Sequence, residues 1–145
     1  MEEKVLLLVW ISFLLIWITA LAGWILFSPF VHELFHLATA FTCGFRIKAY
    51  RLVSIPGGAK GYVDVVIAKG TEHYYLKRGM LHLSGILAHL SLAVICFLLF
   101  RLSREVILSG ICLEGLIVNV YLVIMNVFPE DSDGRQFWEM VRQNK

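Results

Sequence analysis

A run of 27 residues without Asp, Glu, Lys or Arg, Val5–Val31, most constrains what this chain can fold into. About 20 apolar residues are enough to cross a bilayer as a helix. Apart from His32 and Glu33, the apolar character continues to Phe45, which gives 41 residues in all. A soluble domain of 145 residues cannot bury so much apolar surface, so we predict that lipid covers part of it.

Two further runs repeat this pattern. Gly79–Phe100 carries no charge, and Val106–Phe128 carries only Glu114. Together the runs predict a mostly α membrane protein with four transmembrane helices, formed by a single domain over residues 1–145. The helices are expected at about 4–22, 24–43, 79–100 and 105–128.

The first long run needs a turn if it is to form two helices. Gly23 and the Ser28-Pro29 pair are the two candidates. A helix that begins at Pro29 is too short to span, so we predict a turn near Gly23 and a kink at Pro29.

The polar remainder consists of one excursion and one tail. The excursion, at about 46–68, has β-branched and aromatic segments around Ile55-Pro56-Gly57-Gly58, which predicts a small β-hairpin or sheet between the second and third helices. In the tail, at about 134–143, apolar and charged residues occupy opposite faces, which predicts a short interfacial helix.

Charge excludes one class of partner and orients the chain. Lys and Arg number 13 against 11 Asp and Glu, with no basic block, so we expect no nucleic-acid partner. With four spans, 11 Lys and Arg lie on the side of both termini and the excursion, and Arg101 and Arg104 lie opposite. The positive-inside rule then predicts a cytoplasmic excursion and cytoplasmic termini.

The second predicted helix carries a His-Glu-x-x-His motif at His32, Glu33 and His36. Residues four apart stack on one helix face, so both imidazoles can bind one metal ion. Glu33 points about 100° away, from where it can reach a metal-bound water without being a ligand. Such residues are costly in an apolar helix and usually mark function. The motif predicts one catalytic Zn²⁺ per chain.

A catalytic zinc site needs a third protein ligand, and the residues alone leave several open. Pro129 must stop or kink the last predicted helix, so non-helical backbone follows it near membrane depth, where it is tolerated only if packed or beside a wet cavity. An Asp-Gly pair there can aim a carboxylate back at the metal. The candidates are Asp131, Asp133, Glu114, His73, His82 and His89.

A His-Glu-x-x-His in one membrane helix, followed by Asn126-Val127-Phe128-Pro129 and Asp133-Gly134, resembles the site-2 protease family of intramembrane zinc metalloproteases. Members often carry a Gly-Pro-x-x-Asn patch in the intervening helix, where this chain has residues 84–89, Ser-Gly-Ile-Leu-Ala-His. The resemblance runs from about Trp24 to Arg135.

The resemblance implies roles for five residues. It implies that His32, His36 and Asp133 bind zinc, that Glu33 is the general base, and that Asn126 binds substrate or stabilises the oxyanion. The chain departs from the family in three ways. The spacing before the Asp-Gly pair is one residue shorter, Ile and His replace the Pro and Asn of the middle patch, and no PDZ or CBS domain is appended.

A substrate of such an enzyme is a single-span membrane protein or a signal-peptide remnant, cut near the cytoplasmic side of the cell membrane of a prokaryote. A substrate helix must unwind first, and an edge strand from Tyr62 to Ile67 could hold it extended by strand addition. We expect Tyr62, Val63 and Val65 to contact it.

Two other functions compete with this prediction. A catalytically inactive relative, or a membrane metal-binding protein, would use the same ligands; the retained Glu33 argues against it, because a pure binder needs no base. A small transporter would use Glu114, His82 and His89 as a relay.

Overall fold

A computed structural model describes residues 2–54, 59–68, 70 and 72–143 of the chain. Three helices, α1, α2 and α3, are long and apolar enough to cross a membrane. A small sheet and a short C-terminal helix complete the fold, so the predicted mostly helical class and the predicted sheet and tail helix are confirmed. The elements in chain order are α1 (Glu2–Thr42), β1 (Arg46–Arg51), β2 (Tyr62–Val66), α2 (Tyr74–Leu102), α3 (Val106–Val127) and α4 (Asp133–Gln143).

The first helix corrects the prediction of four spanning helices. Gly23 and Pro29 both lie inside the single helix α1, so the predicted turn near Gly23 is wrong. A turn in this run would leave backbone groups without helical partners in an apolar surrounding, and no charged side chain lies near Gly23 to pair with them. One glycine costs only about 1 kcal/mol in a helix, and proline is tolerated in membrane helices.

Among the three long helices, α2 and α3 pack most extensively on each other, and α1 joins them from about Trp17 onward. α2 and α3 form a hairpin joined by residues 103–105, and α1 packs on both. Trp24 donates its indole N–H to the carbonyl oxygen of Ile111 at 2.9 Å, and its ring lies against Gly115. Trp17 lies in the same way against Gly110, near the start of α3. The end of α1, the start of α2 and the end of α3 therefore meet at one end of the bundle.

The sheet covers that end of the bundle. β1 and β2 are antiparallel, with Arg51 opposite Tyr62 and an irregularity between Ile47 and Ala49. The inward-facing side chains pack on a cluster formed by Ala40, Phe45 and Leu81; they are Ile47, Val63, Val65 and Ile67. The predicted turn at residues 55–58 lies outside the described residues.

The start of α4 is fixed against the end of α3. Ser132 donates its hydroxyl to the carbonyl oxygen of Pro129 and accepts the backbone N–H of Arg135, which caps α4. Gly134 lies against Val127, where an added Cβ would approach the Val127 Cα to 2.7 Å. This close approach places Asp133 directly beneath the bundle.

Candidate metal centre

Three side chains from distant parts of the chain converge at the end of the bundle. His36 Nε2 lies 3.0 Å from His32 Nε2 and 3.1 Å from Asp133 Oδ2. His32 Nε2 lies 3.2 Å from the same carboxylate oxygen. The three side chains are only 10–17% exposed. This group could hold a metal ion.

The chemistry and spacing of these atoms fit zinc. Two imidazole nitrogens and one carboxylate oxygen form a common catalytic zinc donor set, with the fourth position open. Zn–N bonds of about 2.0–2.1 Å in a tetrahedral site separate neighbouring ligand atoms by about 3.3 Å, close to the observed distances of 3.0–3.2 Å. Three lone-pair-bearing atoms at such distances repel one another unless a cation or protons lie between them.

Ser84 of α2 fixes the orientation of His36. Its hydroxyl donates to the carbonyl oxygen of Leu81 at 2.7 Å, so its oxygen accepts from His36 Nδ1, 3.0 Å away. The proton on Nδ1 leaves Nε2 with the lone pair that faces Asp133. Such outer hydrogen bonds orient metal-binding histidines and select the tautomer that binds.

Packing rather than hydrogen bonding orients His32. Its Nδ1 is buried and has no hydrogen-bond partner among the described residues. Its ring lies against Gly85, where an added Cβ would collide with the imidazole. The His89 ring lies on it at a centroid distance of 5.0 Å, and His89 itself bonds to the Asn119 Oδ1 at 3.1 Å. The imidazole is thus held between a glycine and a second, buried ring.

Asp133 occupies the first position of α4, where the helix dipole stabilises a carboxylate. Burial by itself would raise the pKa of Asp133, but when the rings of His32 and His36 carry protons on both nitrogens, their hydrogen bonds to the carboxylate and their positive charge outweigh burial and hold this pKa well below its usual range. Asp131 lines the same cavity as these three side chains but is not part of the convergent group.

Glu33 lies beside this group in a cavity of about 420 Å³. The cavity is also lined by Tyr62 and Val63 of β2 and by His82 of α2. Gly61 lies over Glu33, where an added Cβ would come within 2.6 Å of its Cγ. The Glu33 carboxylate, the convergent group and a strand therefore surround one space.

Three other candidate residues, His73, Glu114 and Asn126, neither belong to the convergent group nor line its cavity. His73 is exposed and pairs with Glu72, and Glu114 lies on α3 with a buried oxygen that has no partner among the described residues. Asn126 donates its amide to the carbonyl oxygen of Leu122 at 2.8 Å and does not line the cavity. Its predicted role therefore gains no support from this geometry. Val65 packs on the core cluster instead of lining the cavity.

The groups that orient the two histidines are hard to find from residue patterns alone. As small residues in an apolar helix, Ser84, Gly85 and Ala88 indicate only close helix packing, and all three are buried in α2. The hydrogen bond from His36 to Ser84 joins residues 48 positions apart, so no local pattern contains it. The one indication in the sequence is position: Ser84 and Gly85 stand where the site-2 protease family carries its Gly-Pro-x-x-Asn patch.

No family model matches the chain, and no curated protein sequence or solved structure matches it either.

Proposed function

We propose that this chain is an intramembrane zinc metalloprotease, as its resemblance to the site-2 protease family implies. The observation that carries the proposal is the convergence of His32, His36 and Asp133 beside Glu33 in one cavity. The bundle that carries this cavity has three helices apolar enough to span a membrane. A hydrolytic site on such a bundle has membrane-embedded chains as its natural substrates.

His32, His36 and Asp133 would hold the zinc ion. When bound, zinc supplies a Lewis acid that polarises a carbonyl oxygen and lowers the pKa of a water towards about 7. Ser84 keeps His36 in the tautomer that binds, and Gly85 with His89 holds the His32 ring in place.

Glu33 transfers the protons of the reaction. Its carboxylate accepts a proton from the attacking water and returns it to the leaving amine as the peptide bond breaks. Gly61 and the start of β2 cover the carboxylate, which limits the entry of bulk water. A partly closed cavity strengthens the electrostatic contacts made by a bound peptide.

The open edge of β2 supports an extended substrate. In the described part of the chain, β2 pairs with β1 alone, and Tyr62 and Val63 line the cavity. A substrate helix that unwinds at the membrane surface needs partners for its exposed backbone, and strand addition supplies them. We therefore propose a single-span membrane protein or a signal-peptide remnant as the substrate.

The single helix α1 changes the proposed topology. The N-terminus lies at the end of the bundle opposite the sheet and α4, together with the α2–α3 loop. The site end then carries seven Lys and Arg in the excursion and three in the tail, against Lys4, Arg101 and Arg104 at the other end. The positive-inside rule places the site in the cytoplasm, at the membrane of a prokaryotic cell, and the N-terminus outside.

Cysteine labelling tests this topology. In a Cys43→Ala background, Asp64→Cys on the exposed face of β2 should react with an impermeant maleimide only after lysis, whereas Glu105→Cys should react in intact cells. Labelling of Asp64→Cys in intact cells would reverse the orientation.

Glu33→Gln tests the protease itself. With a single-span substrate in proteoliposomes, we expect the variant to keep one zinc per chain and to lose about a hundredfold or more of the cleavage rate, because an amide cannot accept the proton. Glu130→Gln removes an exposed carboxylate and should cleave normally. Zinc is measured by mass spectrometry and cleavage by product analysis.

An inactive relative, or a membrane metal-binding protein, is the second candidate function. The Asn126 amide favours this second candidate. The resemblance implies Asn126 for catalysis, but its amide donates to the backbone of its own helix instead of facing the cavity. A wild-type protein that binds zinc and cuts nothing, with Glu33→Gln behaving identically, would establish this alternative and reject the protease.

A further inference from the structure

Buried polar atoms without partners indicate where a ligand supplies the missing hydrogen bond. Among the described residues, four buried side-chain atoms lack one, in Ser28, His32, His82 and Glu114. A buried polar group that stays unpaired costs about 1–3 kcal/mol, so each such group calls for an explanation. His82 differs from Ser28 and Glu114 because it lines the cavity that holds Glu33.

His82 approaches this cavity from α2, with Leu81 as its neighbour in the lining. It is not part of the convergent group of His32, His36 and Asp133. The Nε2 atom of His82 is the one left without a partner. A peptide that occupies the cavity beside β2 and Glu33 brings a carbonyl oxygen, an acceptor, into a space that the His82 side chain lines.

A protease site in this cavity needs a hydrogen-bond donor for the oxyanion. The resemblance implies Asn126 for this role, but the Asn126 amide is bonded elsewhere. The Asn126 amide donates to Leu122, and the Gly61 backbone N–H donates to the hydroxyl of Ser54 at 2.8 Å. The polar side chains of Tyr62 and Gln136 also line the cavity, but both residues are exposed. A donor shielded from water stabilises developing charge far more than an exposed one.

We propose that His82 is a catalytic residue that donates its Nε2–H to the carbonyl oxygen of the scissile peptide bond. The hydrogen bond strengthens as negative charge develops on that oxygen, so it stabilises the transition state more than the bound substrate. This role rests on the proposed protease function. It replaces Asn126 with His82 as the side chain that stabilises the oxyanion.

The test compares His82→Phe, which keeps the ring without a donor, with His82→Gln, which restores an amide donor. In proteoliposomes with a single-span substrate, His82→Phe should lose about 100- to 1000-fold in kcat, with KM within about twofold. His82→Gln should recover at least about tenfold of that loss. Both variants should keep one zinc per chain. His73→Asn, at an exposed position with left-handed backbone, should cleave like wild type.

A binding measurement separates the transition state from the ground state. A phosphinic analogue of the substrate peptide should bind His82→Phe more weakly by the same factor that kcat/KM loses. In a Glu33→Gln background, the uncleaved substrate should bind equally with and without His82→Phe.

Each other outcome overturns a defined claim. If wild type cleaves and His82→Phe cleaves equally well, or raises KM alone, or loses zinc, His82 does not stabilise the oxyanion. If wild-type protein loaded with zinc cleaves no membrane substrate, the protease function fails, and this role fails with it.

Discussion

The start and the end of α1 are both apolar, yet they differ in exposure and in packing. Near the start of the helix, Leu8 and Trp10 are each 63% exposed. In the C-terminal half, Ser28, His32, His36 and Ala40 recur every four residues on one face, and three of the four are buried. Small and polar residues at helical spacing thus specify packing, whereas apolar residues alone specify only an apolar surrounding.

The excess length of α1 sharpens the contrast. At 1.5 Å per residue, its 41 residues extend about 60 Å, twice the thickness of the hydrocarbon core. The part that packs on α2 and α3 begins near Trp17, which lies against Gly110 at the start of α3. The packing contacts that position the candidate metal centre therefore involve Trp17 and the residues after it.

The largest expected effect is loss of zinc binding when a proposed ligand at the packed end of α1, or its partner Asp133, is replaced. His36→Ala and Asp133→Ala should each weaken zinc binding more than about a hundredfold. Each removes a direct metal ligand, whereas loss of a group that only hydrogen-bonds to a ligand weakens affinity about 10- to 100-fold. Asp131→Ala should keep most of the zinc. Titration of the purified protein against a competing chelator measures all three. If Asp131→Ala loses the metal and Asp133→Ala keeps it, the start of α4 is placed wrongly.

A smaller effect should follow when the orientation of His36 is loosened. Ser84→Ala removes the acceptor of the His36 Nδ1 proton, and we expect a 10- to 100-fold weaker zinc affinity without unfolding. Ser91→Ala, on the exposed side of α2, is the matched control and should leave the affinity unchanged. Equal affinities in the two variants would mean that packing alone orients His36.

The smallest effect compares two tryptophans of α1. Trp24→Ala removes the hydrogen bond to Ile111, which alone contributes about 1 kcal/mol in a membrane protein, together with its packing on Gly115. Trp10→Ala should change the free energy of unfolding by less than about 0.5 kcal/mol, because Trp10 is exposed. Reversible unfolding in mixed micelles measures both. A large loss for Trp10→Ala would show that something covers the N-terminal half.

The histidines of the candidate site could be predicted from the sequence more easily than its aspartate. His32 and His36 lie four residues apart in an apolar run, and helix geometry alone brings their rings together. Asp133 lies 97 residues beyond His36. Only its Asp-Gly pair and the resemblance favoured it over Asp131. The Ser132 cap and the close approach of Gly134 to Val127 place Asp133, rather than Asp131, beside the histidines. Neither contact can be predicted from the spacing of residues in the sequence.

The sequence by itself determined the apolar helices, the small sheet, the tail helix and the histidine pair, because each depends on neighbours within a turn or a strand. Tertiary structure decided that α1 is one helix, that Ser84 and Gly85 hold the histidines, and that Asn126 lies outside the cavity while His82 lines it. These outcomes depend on which faces of α1, α2 and α3 meet. That choice is set by close packing between residues dozens of positions apart, which no local pattern encodes.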